Sequence, residues 1–112
     1  MSDPAWKKAE RRAAKFFGAI RNRLSGGSGR DDCTRSDSTH EFLFIETKHR
    51  KGGFGLTNLW KEVRDQARKE DKTPVVCAFE KGKQGFWVVC HSSDLMTVAN
   101  HHEQAIKNGF KD

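Results

Sequence analysis

The sequence is short of cysteine, proline and long apolar runs, and each shortage removes a class of protein. Cys33, Cys77 and Cys90 are an odd set at wide spacing with no Cys-x-x-Cys pair, so neither a disulfide framework nor a zinc knuckle is expected. Cys77 and Cys90 each fall in an apolar run, where a reduced cysteine packs as a small core residue. No stretch comes near the roughly 20 apolar residues of a membrane span, and the N-terminus lacks the apolar core of a signal peptide. The expectation is a soluble, cytoplasmic protein in a reducing compartment. Internal repeats, low-complexity tracts and a Walker-type phosphate loop are also missing.

What is present is positive charge and one modest core. The 112 residues, 35% of them apolar, fit a single domain spanning 1–112. Lys and Arg number 21 against 15 Asp and Glu, a balance that suits a polyanionic partner, although a solvated face is the commoner meaning of such an excess. The charge is uneven. Residues 1–51 carry 12 basic and 7 acidic side chains, whereas 52–112 carry 9 and 8.

The positive half surrounds the run Phe42 to Arg50, FLFIETKHR. Its apolar and aromatic start reads as a strand, in which Phe42, Phe44, Glu46 and Lys48 share one face and Leu43, Ile45 and Thr47 the other. With Phe42 and Phe44 on the packed side, Glu46 and Lys48 emerge at the strand's end, as a metal ligand beside a cation. Glu-x-Lys alone is a poor motif in a chain with 32% charged residues, and Glu70-Asp71-Lys72 repeats it at a helix end.

Upstream, Asp3 as N-cap, Pro4 in the first turn and Gly18 as a stop bound a helix from about Pro4 to Phe17. At roughly 100° per residue Glu10 falls among Trp6, Ala13 and Phe17, while Lys7, Lys8, Arg11, Arg12 and Lys15 occupy the opposite arc. A carboxylate facing a core needs a partner. That partner is either an internal salt bridge or a metal site to which Glu10 adds a third acid. Ala19 to Leu24 reads as a short strand with Ile20 and Leu24 on one side and Arg21 and Arg23 on the other. Ser25 to Arg30, SGGSGR, is a loop whose glycines allow close approach to phosphate and whose Ser25, Ser28 and Arg30 can donate to it. Asp31, Asp32 and Asp37 follow, as turn formers or as a source of a second metal-binding carboxylate.

Downstream, Thr57 or Asn58 caps a helix to about Glu70, with Leu59, Val63, Gln66 and Glu70 in one stripe. Gln66 is thus either a core amide or a donor behind the metal ligands. Val75 to Phe79 and Phe86 to Cys90 read as buried strands joined by a hairpin at Lys81 to Gly85. Ser92 to Asp94 caps a short terminal helix, and His101-His102 are placed on a solvated helix or tail. The element order implies an α/β fold, a mixed β-sheet of about five strands flanked by helices.

Taken together, Glu10 on the first helix, an aspartate after a Gly/Ser loop, Ile45-Glu46-Thr47-Lys48 on a strand, and then a helix and a strand resemble the PD-(D/E)XK nuclease superfamily. The size, the Arg21 to Gly27 loop and the early glutamate are similar to archaeal-type Holliday junction resolvases and related small phage endonucleases. The resemblance covers about residues 5–90 and implies a restriction-endonuclease-like sheet. The family's Pro-Asp dipeptide is absent; Ser36-Asp37 stands nine residues before Glu46 in its place. By resemblance, Asp37 (with Asp32 as the other candidate), Glu46 and the Thr47 carbonyl hold Mg²⁺ or Mn²⁺, Glu10 assists, and Lys48 positions the attacking water. Ser25 or Ser28 corresponds to the resolvase loop serine. Lys7, Lys8, Arg11, Arg12, Arg21, Arg23, Arg30 and Arg50 then hold flanking phosphates of branched double-stranded DNA, cut by a homodimer. The reading from another class is a basic nucleic-acid-binding module in which Glu46 and Lys48 form a structural ion pair.

Overall fold

The computed structural model describes residues 4–21, 36–51 and 53–111. Three sequence features fix the frame: an apolar run long enough to be covered on both faces, and two amphipathic helices to cover it. The run is β3 (Leu43–Arg50), and the helices are α1 (Ala5–Phe16) and α2 (Leu56–Lys69). Around them lie β1 (Ile20–Arg21), β2 (Ser38–Thr39), β4 (Thr73–Glu80), β5 (Trp87–Val89) and α3 (Leu95–Lys107), the last entered through a 3₁₀ turn at Ser92–Asp94. The strands form one mixed sheet in the order β1-β2-β3-β4-β5. Among the described strands only β3 and β4 run parallel, from Leu43 opposite Thr73 to Arg50 opposite Glu80, with α2 as the crossover. The other pairs are antiparallel.

Strand alternation divides the core between two layers. Leu43 and Ile45 join Ala9, Ala13, Phe17, Val75, Cys77, Phe79 and Val98 on the α1 side. Phe44 joins Leu59, Val63, Ala67 and Val76 on the α2 side. Phe17, Leu43, Phe44 and Ile45 are almost completely buried, each contributing about 1.5–3 kcal/mol by removal from water. Both faces of β3 are therefore packed. Phe42 does not mark a packed side, because it precedes the strand, is 53% exposed and stacks on His101.

The three described helices stop in the same way. Gly18, Asp71 and Gly109 take positive φ just past the last turn, and the next N–H reaches back to the third residue from the end: Ala19 to Ala14, Lys72 to Ala67, Phe110 to Ala105. This satisfies carbonyls that the helix leaves unpaired. The starts depart from the sequence reading. Pro4 is the N-cap of α1 rather than its first helical residue, and α2 is capped by Gly55 in the left-handed region, with Thr57 and Asn58 already inside the first turn. At the edge of the sheet, β5 is not buried: Trp87 is 62% exposed, since an edge strand has a neighbour on one side only. Nor do the terminal histidines face solvent. His102 stacks on Phe16 at 3.6 Å and bonds its carbonyl at 2.8 Å, docking α3 on α1. Among the described residues no helix is long and apolar enough to cross a membrane.

Candidate active site

The site forms where β2 stops pairing with β3, and a serine produces the parting. The Ser36 hydroxyl donates to the Ile45 carbonyl at 2.9 Å and accepts the Ile45 N–H at 2.9 Å. It thereby stands in for a ladder peptide. The Asp37 N–H also reaches the Ile45 carbonyl, at 3.1 Å. Ser36 is fully buried, so these bonds are shielded from water. One step along β3, where no β2 residue remains to pair, the Thr47 N–H donates to Asp37 Oδ2 at 2.8 Å. Peptide groups two residues apart on a strand point to the same edge. Ile45 turns its N–H and carbonyl toward β2, so the Thr47 carbonyl turns toward Asp37.

Glu46 lies on the α2 face, beyond Phe44, with its carboxyl near enough to Asp37 to feel that charge. A like charge nearby disfavours the ionised form of a carboxyl. Burial first, then the neighbouring Asp37 carboxyl and its charge, push the Glu46 carboxyl up to about 9, against a smaller pull downward from Lys48. The half-buried Lys48 sits two residues on, with its charge felt by Glu46. Glu46 also lines an open cleft of ≈ 490 Å³ between β3 and α2, with Gln66 on the far wall beside Glu62, Asp65 and Lys69. The sheet and the second helix thus place Gln66 and Glu46 on the lining of one cleft.

Glu10 is on the inner face of α1 at 8% exposure, and it has a partner: Arg21 Nε donates to Glu10 Oε1 at 2.7 Å. Burial raises the Glu10 carboxyl above its ordinary range, opposed by the Arg21 bond and reinforced by the Asp37 charge. The internal salt bridge foreseen for Glu10 is thus formed, and its partner is a residue assigned to phosphate contact. The short strand is also turned the other way from a packed-apolar reading, with Ile20 77% exposed and Arg21 directed at Glu10. Among the described residues no three His, Cys, Asp or Glu side chains are grouped so as to hold one metal ion. Glu10, Asp37 and Glu46 feel one another's charge, Glu10 from across the sheet.

Hard oxygen donors of this kind fit Mg²⁺ or Mn²⁺, which keep several waters and need only one or two carboxylates. Asp37, Glu46 and the Thr47 carbonyl are the residues that would hold such an ion. Buried Thr47 Oγ1 and Ser38 Oγ, with no partner among the described residues, mark polar space beside them. Of the basic candidates, Lys7 lies 5.5 Å over the Trp6 ring, Arg50 is exposed at the end of β3, and Lys8, Arg11 and Arg12 line a cleft on the outer side of α1. Arg23, Ser25, Ser28, Arg30 and the alternative ligand Asp32 lie outside the described residues. Ser36 had no sequence signal beyond its place before Asp37. Comparison of the chain with protein-family models, with curated proteins and with solved structures finds no match.

Proposed function

We propose that the chain is a Mg²⁺- or Mn²⁺-dependent, structure-selective DNA endonuclease of the PD-(D/E)XK type, acting as a homodimer on four-way junctions. One observation carries this reading: Asp37, held by the Thr47 N–H, and Glu46, nine residues on, lie within reach of each other's charge at a strand parting, with Lys48 beside them. At neutral pH a fold loses stability by burying an acid beside a like charge, whereas a cation site needs both. A divalent ion there would offset phosphate charge and make bound water a nucleophile at neutral pH. The chain's own part is positional. Ser36 and the Thr47 N–H hold Asp37 in place, Lys48 supplies positive charge where negative charge builds up, and Gln66 offers a donor from across the cleft. Exposed cations on α1 and Arg50 grip backbone phosphates without reading bases, which suits recognition by shape.

A second reading has its own observation. Glu10 is satisfied by Arg21, as in a binding module without chemistry. Labelled four-way junction and linear duplex, incubated with Mg²⁺ or with EDTA, separate the two. The nuclease cuts the junction only with Mg²⁺, and Glu46→Ala and Lys48→Ala each lower the rate on the order of 10²-fold or more, the scale for removing a group that stabilises transition-state charge. Junction bound and left uncut would select the binding module.

A further inference from the structure

The outer face of α1 holds a feature that the strand parting does not use. Lys8, Arg11, Arg12, Lys15, Phe110 and Lys111 line a cleft of ≈ 330 Å³ between α1 and the segment after α3. None of the six carries a carboxylate. The lysines are exposed, and the aromatic neighbours fix the walls: Arg12 lies 5.9 Å over the Phe86 ring, and Phe110 packs edge-on against Phe16. The cations form two ridges, Lys8 with Arg12 and Arg11 with Lys15, each at the i,i+4 spacing that stacks side chains along a helix. From Lys8 to Lys15 the helix rises about 10 Å, close to three base-pair steps at ~3.4 Å per step. Like charges gathered on one arc raise a positive potential that draws a polyanion.

Their direction excludes the scissile phosphate. Measured around α1 from Glu10, which points at the sheet, Arg11, Lys15, Lys8 and Arg12 fall at roughly 100°, 140°, 160° and 200°. They face away from Asp37 and Glu46, across a helix about 10–12 Å thick. We infer that this cleft is a second duplex-binding surface, taking an arm of the branched DNA other than the one lying over Asp37 and Glu46. The inference rests on the nuclease reading for its substrate. It also changes the role of Lys8, Arg11 and Arg12, from gripping phosphates that flank the cut to recognising a branch.

Fluorescence anisotropy tests it in EDTA, where nothing is cleaved, with labelled four-way junction and linear duplex as probes. Lys8→Ala/Lys15→Ala/Lys111→Ala should weaken junction binding about tenfold or more, weaken duplex binding less, and lower the salt slope by about 3, near 0.9 for each phosphate no longer neutralised. The matching triple arginine variant should keep junction binding. Lys81→Ala/Lys83→Ala/Lys107→Ala removes equal charge elsewhere and should have the smaller effect. Equal losses on both probes, equal losses in the two alanine triples, or no loss would each overturn the inference. Binding that passes this test in a chain that never cuts would sink the nuclease reading alone.

Discussion

Two regions of this protein bury titratable side chains, and they treat them in opposite ways. At the corner where α1, α3 and the turn before β3 meet, His40 Nδ1 accepts the N–H groups of Phe42 and Leu43, each at 3.0 Å. Burial and then the neighbouring His101 lower its pKa to about 4, so the neutral form that makes these bonds persists. At the parting of β2 and β3, Glu46 faces Asp37, and burial beside a like charge raises it to about 9. The histidine corner is a polar network in its resting form. The acid pair carries a titration that its surroundings oppose. A group satisfied by its neighbours serves the fold, and a group at odds with them is a candidate for function.

The first way to sharpen the comparison is to take away Glu10's partner. Arg21→Ala leaves a buried carboxylate unpaired and should cost about 3 kcal/mol of unfolding free energy in urea titrations, the scale for breaking a buried ion pair from one side. A cost near zero would mean that Glu10 does not rely on Arg21. Next comes the histidine corner. His40→Ala strands the Leu43 amide, and in part that of Phe42, for about 2 kcal/mol.

The two regions also respond to pH with opposite signs. His40 binds its proton less tightly folded than unfolded, so its contribution is present above 6.5 and is lost as pH falls through about 4. Glu46 binds its proton more tightly folded, so its contribution is present below 4.5 and is lost as pH rises through about 9. Metal-free protein should therefore show a stability plateau between about pH 4.5 and 6.5, falling on either side. The alkaline limb should have a slope of at most ~1.4 kcal/mol per pH unit, the limit for one proton. Glu46→Gln keeps the shape of the protonated acid without its titration, and it should flatten the alkaline limb and extend the acid limb up to about pH 6.5, because the His40 slope is then no longer offset. An unchanged alkaline limb would place the titrating group elsewhere.

The sequence was a good guide where a pattern is local. The LFI run of β3, the stripe of α2 and the strand after Pro74 predict a sheet covered on both faces, and simple 100° arithmetic turns Glu10 inward. Spacing alone leaves Asp31, Asp32 and Asp37 open, and it is the resemblance that points to Asp37, with Asp32 as the other candidate. What sequence reading missed depends on elements brought together from afar. Arg21 meets Glu10 only because β1 folds back beside α1. His102 reads as part of a polar tail, yet its partner Phe16 is 86 residues away. Ser36 is an ordinary serine until its hydroxyl replaces a peptide in the ladder. Trp87 and Val88 resemble core residues, and β5 is exposed because nothing in the run itself reveals which strand ends the sheet.

In the proposed enzyme a divalent cation displaces the proton that burial and the Asp37 charge keep on Glu46, and Mn²⁺ titration by calorimetry in two buffers of different ionisation enthalpy measures that exchange. At pH 7.5 the protein should bind Mn²⁺ and release close to one proton per site, and Glu46→Gln should release none. Wild-type protein that takes up Mn²⁺ without releasing a proton, or that binds no Mn²⁺ at millimolar concentration, would contradict it.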